Sequence, residues 1–175
     1  MKDALKNNKG FTIIELLAVI SLLAIVTVTI STFFLNNQRA YKMSVDEVTV
    51  QEQAQTAMST IVEKTIESKG IAALATDHAT YYRLDILNAD GTTMALNWDV
   101  VNKKLSWMNL TGDTTVHELT GRFTAFSVTT LETDPTKASK ADFTITVERP
   151  PTTSPEPPVS VTLTNTVKFR NYSPT

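Results

Sequence analysis

The residues most able to do chemistry lie near the start of the chain, where Gly10 and Phe11 are followed by a long apolar run. Glu15 is the single charged residue of that run, which extends to Leu35. A carboxylate inside a membrane-spanning helix costs about a few kcal/mol, so such a residue usually has a function and a partner of opposite charge. The alternative is that Glu15 lies near the membrane interface, where it reaches water or takes up a proton.

Other groups that catalyse reactions or bind metals are scarce. The chain has no cysteine, which excludes thiol catalysis, cysteine-ligated zinc and disulfide bonds. His78 and His117 lie in different segments, and each has an acidic neighbour, Asp77 or Glu118, that a strand would point to the opposite face. Motifs typical of phosphate-binding loops, serine hydrolases and zinc peptidases are absent. We therefore expect no catalytic residue, no metal site and no cofactor, and we do not expect an enzyme.

Residues 11–35 form an apolar segment long enough to span a membrane. As a helix this segment reaches roughly 37 Å, against about 30 Å for the hydrocarbon layer. Lys2, Lys6 and Lys9 precede it, and the positive-inside rule then keeps the N-terminus in the cytoplasm. The segment is too long for a secretory signal, and no small-residue cleavage site follows it. Hydropathy and charge alone leave an uncleaved membrane anchor open.

Residues 9–17 read KGFTIIELL, which resembles the processing motif of type IV pilins, pseudopilins and competence pilins. The resemblance implies that a prepilin peptidase cuts after Gly10 and methylates Phe11 as the new N-terminal residue. It also implies that Glu15 neutralises the α-amine of Phe11 on an adjacent subunit, with the two groups about 6 Å apart along the helix axis. Opposite charges attract strongly in a low-dielectric core, so Glu15 would set the subunit register rather than act as a catalytic acid.

A helical pattern continues beyond the apolar segment, with apolar residues at spacings of three and four. This stripe consists of Ala40, Met43, Val50, Ala54, Ala57, Met58, Ile61, Val62 and Ile66. Gly70 follows as a C-cap, with Lys69 in the last helical turn. The pattern predicts one long helix over residues 12–69, with a membrane half and an amphipathic half that must pack on another element.

Residues 71–175 predict a β-rich head, because candidate strands rich in β-branched and aromatic residues alternate with turn signals. These strands are Tyr81–Leu87, Thr92–Trp98, Lys104–Met108, Thr115–Leu119, Arg122–Leu131, Asp142–Glu148 and Val159–Phe169. Residues 88–91 read NADG, a hairpin turn signal. A proline-rich loop, residues 150–158, precedes the last strand. We expect an α+β fold in which the long helix packs on an antiparallel sheet, which is the pilin-like arrangement.

These elements divide the chain into a leader (1–10), a hydrophobic helix (11–35), an amphipathic helix (36–70) and the head (71–175). The resemblance implies a structural subunit, a minor pilin or pseudopilin, of a type IV pilus, a type II secretion system or a competence filament. Its partners would be the prepilin peptidase, the cytoplasmic membrane, the assembly machinery and other pilin subunits through the N-terminal helix. The precursor would cross the cytoplasmic membrane once, and the assembled filament would be extracytoplasmic or on the cell surface.

The net charge of the chain helps to distinguish the alternative functions. The whole chain has a net charge of −2, and residues 1–10, with three lysines and Asp3, carry +2. The rest of the chain therefore carries −4. This negative charge argues against nucleic acid as the main partner. The main alternative function is an uncleaved, single-pass membrane anchor that carries a binding or sensor domain. A pilus-tip adhesin or DNA-binding pilin would differ from the first hypothesis only in what the head contacts.

Overall fold

The structure is a computed structural model, and it describes residues 11–75, 80–150 and 158–172. It consists of one long helix and eight strands, with a short 3-10 helix between the sixth and seventh strands. The elements are α1 (Ile13–Ile66), β1 (Ser68–Ala75), β2 (Tyr81–Asn88), β3 (Thr93–Asp99), β4 (Lys104–Asn109), β5 (His117–Glu118), β6 (Arg122–Thr129), the 3-10 helix (Pro135–Lys137), β7 (Lys140–Glu148) and β8 (Ser160–Lys168). The chain divides into two compact units, the first ending at Ser44 and the second beginning at Val45.

In the first unit, α1 is apolar and its side chains are exposed. By length and composition α1 is able to cross a membrane, with a mean hydropathy of 2.7 over its most apolar window. Five of its hydroxyl side chains each donate to the carbonyl four residues earlier, so these five add no unsatisfied donor in a lipid environment. These side chains are Ser21, Thr27, Thr29, Ser31 and Thr32. The prediction of a long apolar N-terminal helix is confirmed.

In the second unit, α1 buries one face against both groups of strands. Its buried residues are Val50, Ala54, Ala57, Met58, Ile61 and Thr65. Val62 and Ile66 pack at the margin of the same core. The predicted apolar stripe is therefore confirmed from Val50 onward. Its first two members, Ala40 and Met43, are exposed, because they precede the part of the helix that the second unit covers.

The predicted end of the helix is wrong by one turn. α1 ends at Ile66, and the basic residue of its last turn is Lys64 rather than Lys69. Gly70 is not a helix cap but a residue of β1 with a φ of 153°, at a register shift between β1 and β2.

The helix ends early because a distant segment satisfies its last carbonyl groups. The carbonyl of Ile66 accepts the N–H of Arg170 at 2.9 Å. The carbonyl of Glu67 accepts the side-chain amide of Asn171 at 2.6 Å. Helix ends leave several carbonyls without partners, and here the C-terminal segment takes the place of a glycine cap. A contact across about a hundred residues leaves no local signal in the sequence.

The strands form two antiparallel sheets rather than the single predicted sheet. One has five strands in the order β1-β2-β3-β4-β5, and the other has three in the order β6-β7-β8. Alternation of side chains identifies a strand, but tertiary packing decides which strands pair. The α+β, pilin-like architecture of one long helix on antiparallel strands is confirmed.

Two strands differ most from their predictions. β1 was not predicted, because SKGIAALA holds a single β-branched residue, and its pairing with β2 compensates for weak local propensity. The predicted strand Thr115–Leu119 is reduced to the two residues of β5. The predicted turn at residues 88–91 is confirmed: Gly91 has a φ of 88° and donates its N–H to the carbonyl of Asn88.

One core joins the helix and both sheets. Its largest fully buried side chains include Phe123, Phe143 and Phe169. The two sheets are also connected directly, since Phe123 donates its N–H to the carbonyl of Lys103 and accepts the indole N–H of Trp98. Burial of aromatic side chains of this size stabilises the second unit without a disulfide bond.

Candidate functional site at the start of the helix

The helix begins in a reciprocal cap formed by Thr12 and Glu15. The Glu15 carboxylate accepts the backbone N–H and the hydroxyl of Thr12, each at 2.9 Å. The Thr12 hydroxyl in turn accepts the N–H of Glu15 at 3.3 Å. This is a capping box, in which a Thr at the N-cap and a Glu three residues later satisfy the free N–H groups of the first turn. The helix dipole also favours a negative charge at this position.

The cap was not predicted from the sequence, although Thr-x-x-Glu before an apolar run is its usual signal. From the sequence, Glu15 is expected either to pair with a positive charge or to lie near the membrane interface, and neither hypothesis includes a hydrogen bond within the chain. In the structure its first partner is Thr12 of the same chain. A carboxylate has about four acceptor positions, so the two hydrogen bonds from Thr12 leave room for a further donor.

Phe11 lies immediately before the cap and outside the helix, and it is 86% exposed. Its backbone is therefore not held in the helical hydrogen-bond ladder. Gly10 and the leader lysines Lys2, Lys6 and Lys9 lie outside the described residues. The Gly10–Phe11 bond, the methylation of Phe11 and the topology set by the lysines therefore stay predictions.

Of the two histidines, the structure describes His117. His78, with its neighbour Asp77, lies outside the described residues. His117 lies on β5 and stacks on Trp107, with ring centroids 4.1 Å apart. The ammonium group of Lys64 lies 4.7 Å from the centroid of the Trp107 ring, a cation–π contact. Among residues 11–75, 80–150 and 158–172, no group of three His, Asp or Glu side chains is arranged to hold a metal ion.

Comparison with known families identifies the start of the chain. The family described as the prokaryotic N-terminal methylation motif matches residues 5–31. No curated protein and no solved structure matches the chain. The match includes residues 5–10, the cap and most of the apolar segment, and it ends within the first unit. This chain thus carries the type IV prepilin signature, which supports a pilin-like prepilin, a class of structural rather than catalytic proteins.

Proposed function

We propose that this chain is a structural subunit, a minor pilin or pseudopilin, of a type IV pilus, type II secretion or competence filament. A prepilin peptidase cuts the Gly10–Phe11 bond and methylates the new N-terminus, and the apolar part of α1 then packs among other subunits. The observation that supports this most directly is the agreement between the prepilin signature at residues 5–31 and the structure. The signature falls where an exposed Phe11 precedes a capped, apolar helix.

The exposed apolar surface explains why such a subunit needs neighbours. In the first unit large apolar side chains cover all sides of α1, and none of them is buried. An exposed apolar surface of this size is stable only in lipid or against other apolar surfaces. In the precursor the membrane covers it, with the leader lysines in the cytoplasm. In a filament, the equivalent helices of other subunits would cover it.

Glu15 gives the assembly its register. After cleavage the α-amine of Phe11 is a positive charge in an apolar environment, where an unpaired charge is strongly penalised. The Glu15 carboxylate of an adjacent subunit pairs with that amine, while its hydrogen bonds to Thr12 fix its orientation. Assembly machinery at the cytoplasmic membrane then extracts the subunit into an extracytoplasmic filament.

N-terminal analysis of the protein in its native host tests the proposal. We expect the mature chain to begin with N-methylated Phe11, as read by mass spectrometry. Gly10→Leu should block this processing, because the peptidase accepts only a minimal side chain before the cut. Asn8→Leu introduces the same side chain two residues earlier and serves as the control, with processing retained. A wild-type chain that keeps Met1 in the membrane would contradict the proposal and would favour an uncleaved anchor for a binding or sensor domain.

A further inference from the structure

Two asparagines of the second unit begin the motif Asn-x-Ser/Thr, which is the acceptor motif for N-linked glycans in secreted proteins. Residues 109–111 read NLT, and residues 171–173 read NYS. A match to three residues is frequent by chance, so the motif alone does not select a site. The surroundings of the two asparagine side chains differ, and this difference decides which of them is able to act as an acceptor.

The Asn171 amide already holds the end of α1. It donates to the carbonyl of Glu67 at 2.6 Å, and the backbone N–H of Asn171 donates to the carbonyl of Ser68. The hydroxyl of the next residue, Tyr172, donates to the carbonyl of Lys137 at 2.6 Å. An amide nitrogen that is fixed in this way reaches the active site of another protein only if the end of the helix opens.

Asn109 is the last residue of β4, at a place where the sheet ends. β5 pairs only with Ser106 and Trp107, so among the described strands none lies beside the last two residues of β4 on that side. The chain then continues into an exposed loop, residues 111–116. Gly112, with a φ of 81°, turns the backbone there, and a Cβ at this position would have no neighbour within 4 Å. The motif at residues 109–111 therefore extends from a strand end into an open loop.

The two groups that define this motif are free. In residues 11–75, 80–150 and 158–172, no hydrogen bond or ion pair engages the side chain of Asn109 or of Thr111. Asn109 is half-buried, but its amide still reaches solvent, and Thr111 is exposed. Leu110 between them donates its N–H to the carbonyl of Thr93 at 2.8 Å, which fixes the backbone. An amide nitrogen and a hydroxyl two residues later are thus both available on a held segment.

We propose that Asn109 is an acceptor site for an N-linked glycan and that Asn171 is not. The donor is an oligosaccharide linked to a lipid diphosphate, and a membrane-bound transferase joins it to the chain. The amide nitrogen of Asn109 forms a bond to C1 of the first sugar, and the bond from that carbon to the diphosphate breaks. The lipid diphosphate leaves with the electron pair, and one amide proton passes to a base of the transferase.

The inference rests on the topology proposed above, in which the second unit lies outside the cytoplasm, but not on cleavage after Gly10. A glycan on Asn109 would also protect the open end of β4. β5, which covers the earlier part of that edge, is only two residues long. A bulky, hydrated group next to an open strand end hinders pairing with a strand of another chain.

Peptide mass spectrometry of the protein purified from its native host tests the proposal. Trypsin cuts after Lys104, Arg122 and Arg170, so peptides 105–122 and 171–175 each contain one of the two motifs. We expect the mass of a glycan on peptide 105–122 and none on peptide 171–175. An unmodified peptide 105–122, or a glycan on peptide 171–175, would overturn the proposal.

Substitutions distinguish a glycan on Asn109 from one on a threonine of the same peptide. Asn109→Gln and Thr111→Val should each abolish the modification, whereas Thr111→Ser keeps the hydroxyl and should retain it. Ser173→Ala removes the second motif without changing Asn171, and it should have no effect. Because Thr111 is exposed, its substitutions leave the packing of the second unit intact. A modification that persists in Asn109→Gln would be linked to another residue and would contradict the proposal.

N-terminal analysis of the same sample separates this test from that of the proposed function. A chain that begins at Phe11 and carries an unmodified Asn109 would overturn the glycan site alone. A glycan on Asn109 of a chain that keeps Met1 would support the site and contradict the proposed processing.

Discussion

At the scale of single residues, Glu15 has two tasks that are compatible. Within one chain it caps the helix through the backbone N–H and hydroxyl of Thr12. Between subunits, we propose that it pairs with the α-amine of Phe11. The cap needs a hydrogen-bond acceptor, whereas the pairing needs a negative charge, so substitutions can separate the two tasks.

We predict that Glu15→Gln is cleaved normally but reduces incorporation into filaments at least about tenfold, because glutamine accepts hydrogen bonds without neutralising a buried amine. Thr12→Val is the matched control: it removes the hydroxyl from the cap, at a cost of about 1 kcal/mol, and keeps the charge. This variant should be cleaved and assembled. Mass spectrometry measures the cleavage, and sheared filament fractions measure the assembly. Normal assembly of Glu15→Gln would contradict the proposed pairing of Glu15 with the α-amine of Phe11, and only the capping role would remain.

At the scale of elements, the turn between β2 and β3 is held by a carboxylate. Asp90 accepts the N–H of Thr92 at 2.9 Å and its hydroxyl at 2.6 Å. Both hydrogen bonds stabilise the charged form, the one from the hydroxyl more than the one from the N–H. The pKa of Asp90 therefore lies below its usual value of 3.8. Stability from a lowered carboxylate pKa is present above the unfolded-state pKa and is lost as the pH falls through the folded-state pKa. The turn should therefore weaken only in acid, below about pH 4.

We predict that Thr92→Val raises the pKa of Asp90 towards 3.8, because the largest stabilising contact, the hydroxyl, is removed. The thermal unfolding midpoint of this variant should fall less steeply than that of wild type as the solution is acidified. Carboxyl-carbon NMR titration of the full chain in detergent measures the pKa directly. The control is Thr115→Val at the similar turn of Asp113, which should change the pKa of Asp113 and leave Asp90 unchanged. An unchanged Asp90 pKa in Thr92→Val would assign the shift to another cause.

Local signals in the sequence were sufficient for most elements of the fold. The apolar segment, the stripe from Val50 onward and the hairpin turn at residues 88–91 each depend on neighbours in sequence, and each is confirmed. β1 and the helix end could not be predicted, because both depend on distant partners: β2 for the strand, and Arg170 with Asn171 for the last carbonyls of α1. The division of the strands into two sheets could not be predicted for the same reason, because strand pairing also depends on distant partners.

The candidate site was predictable only in part. The apolar run and the prepilin signature were recognisable from the sequence, and the family comparison confirms the signature. The capping role of Glu15 could have been found from the spacing of Thr12 and Glu15. The contact between His117 and Trp107 could not, because it depends on the pairing of β4 with β5.

At the scale of the second unit, two ion pairs among the described residues connect α1 and the turn after it with distant parts of the chain, and their burial differs. Asp46 pairs with Arg149, whose side chain is only 9% exposed. Glu67 pairs with Arg170 at 3.5 Å, and both side chains are more than half exposed. Removing one partner of a buried pair leaves a charge with poor solvation, whereas an exposed pair contributes little.

We predict that Asp46→Asn lowers the free energy of unfolding of the second unit by about 1–3 kcal/mol, because Arg149 loses a charged partner in a place with little water. Glu67→Gln is the matched control, with an expected change within about 0.5 kcal/mol. Urea denaturation of the detergent-solubilised full chain, followed by tryptophan fluorescence, measures both. Equal effects of the two substitutions would mean that burial does not distinguish these pairs.

The hydrogen bonds from Arg170 and Asn171 to the end of α1 have a consequence for the order of events during biosynthesis. The first unit needs only the early part of the chain, so its helix can enter a membrane while the rest is still being made. The second unit cannot be completed until Arg170 and Asn171 have emerged, because these two residues bond the carbonyls at the end of a helix made about a hundred residues earlier. Contacts of such long sequence separation form slowly. The polypeptide is therefore anchored first and folded last, and a chain cut short before Arg170 would remain anchored with its helix end open.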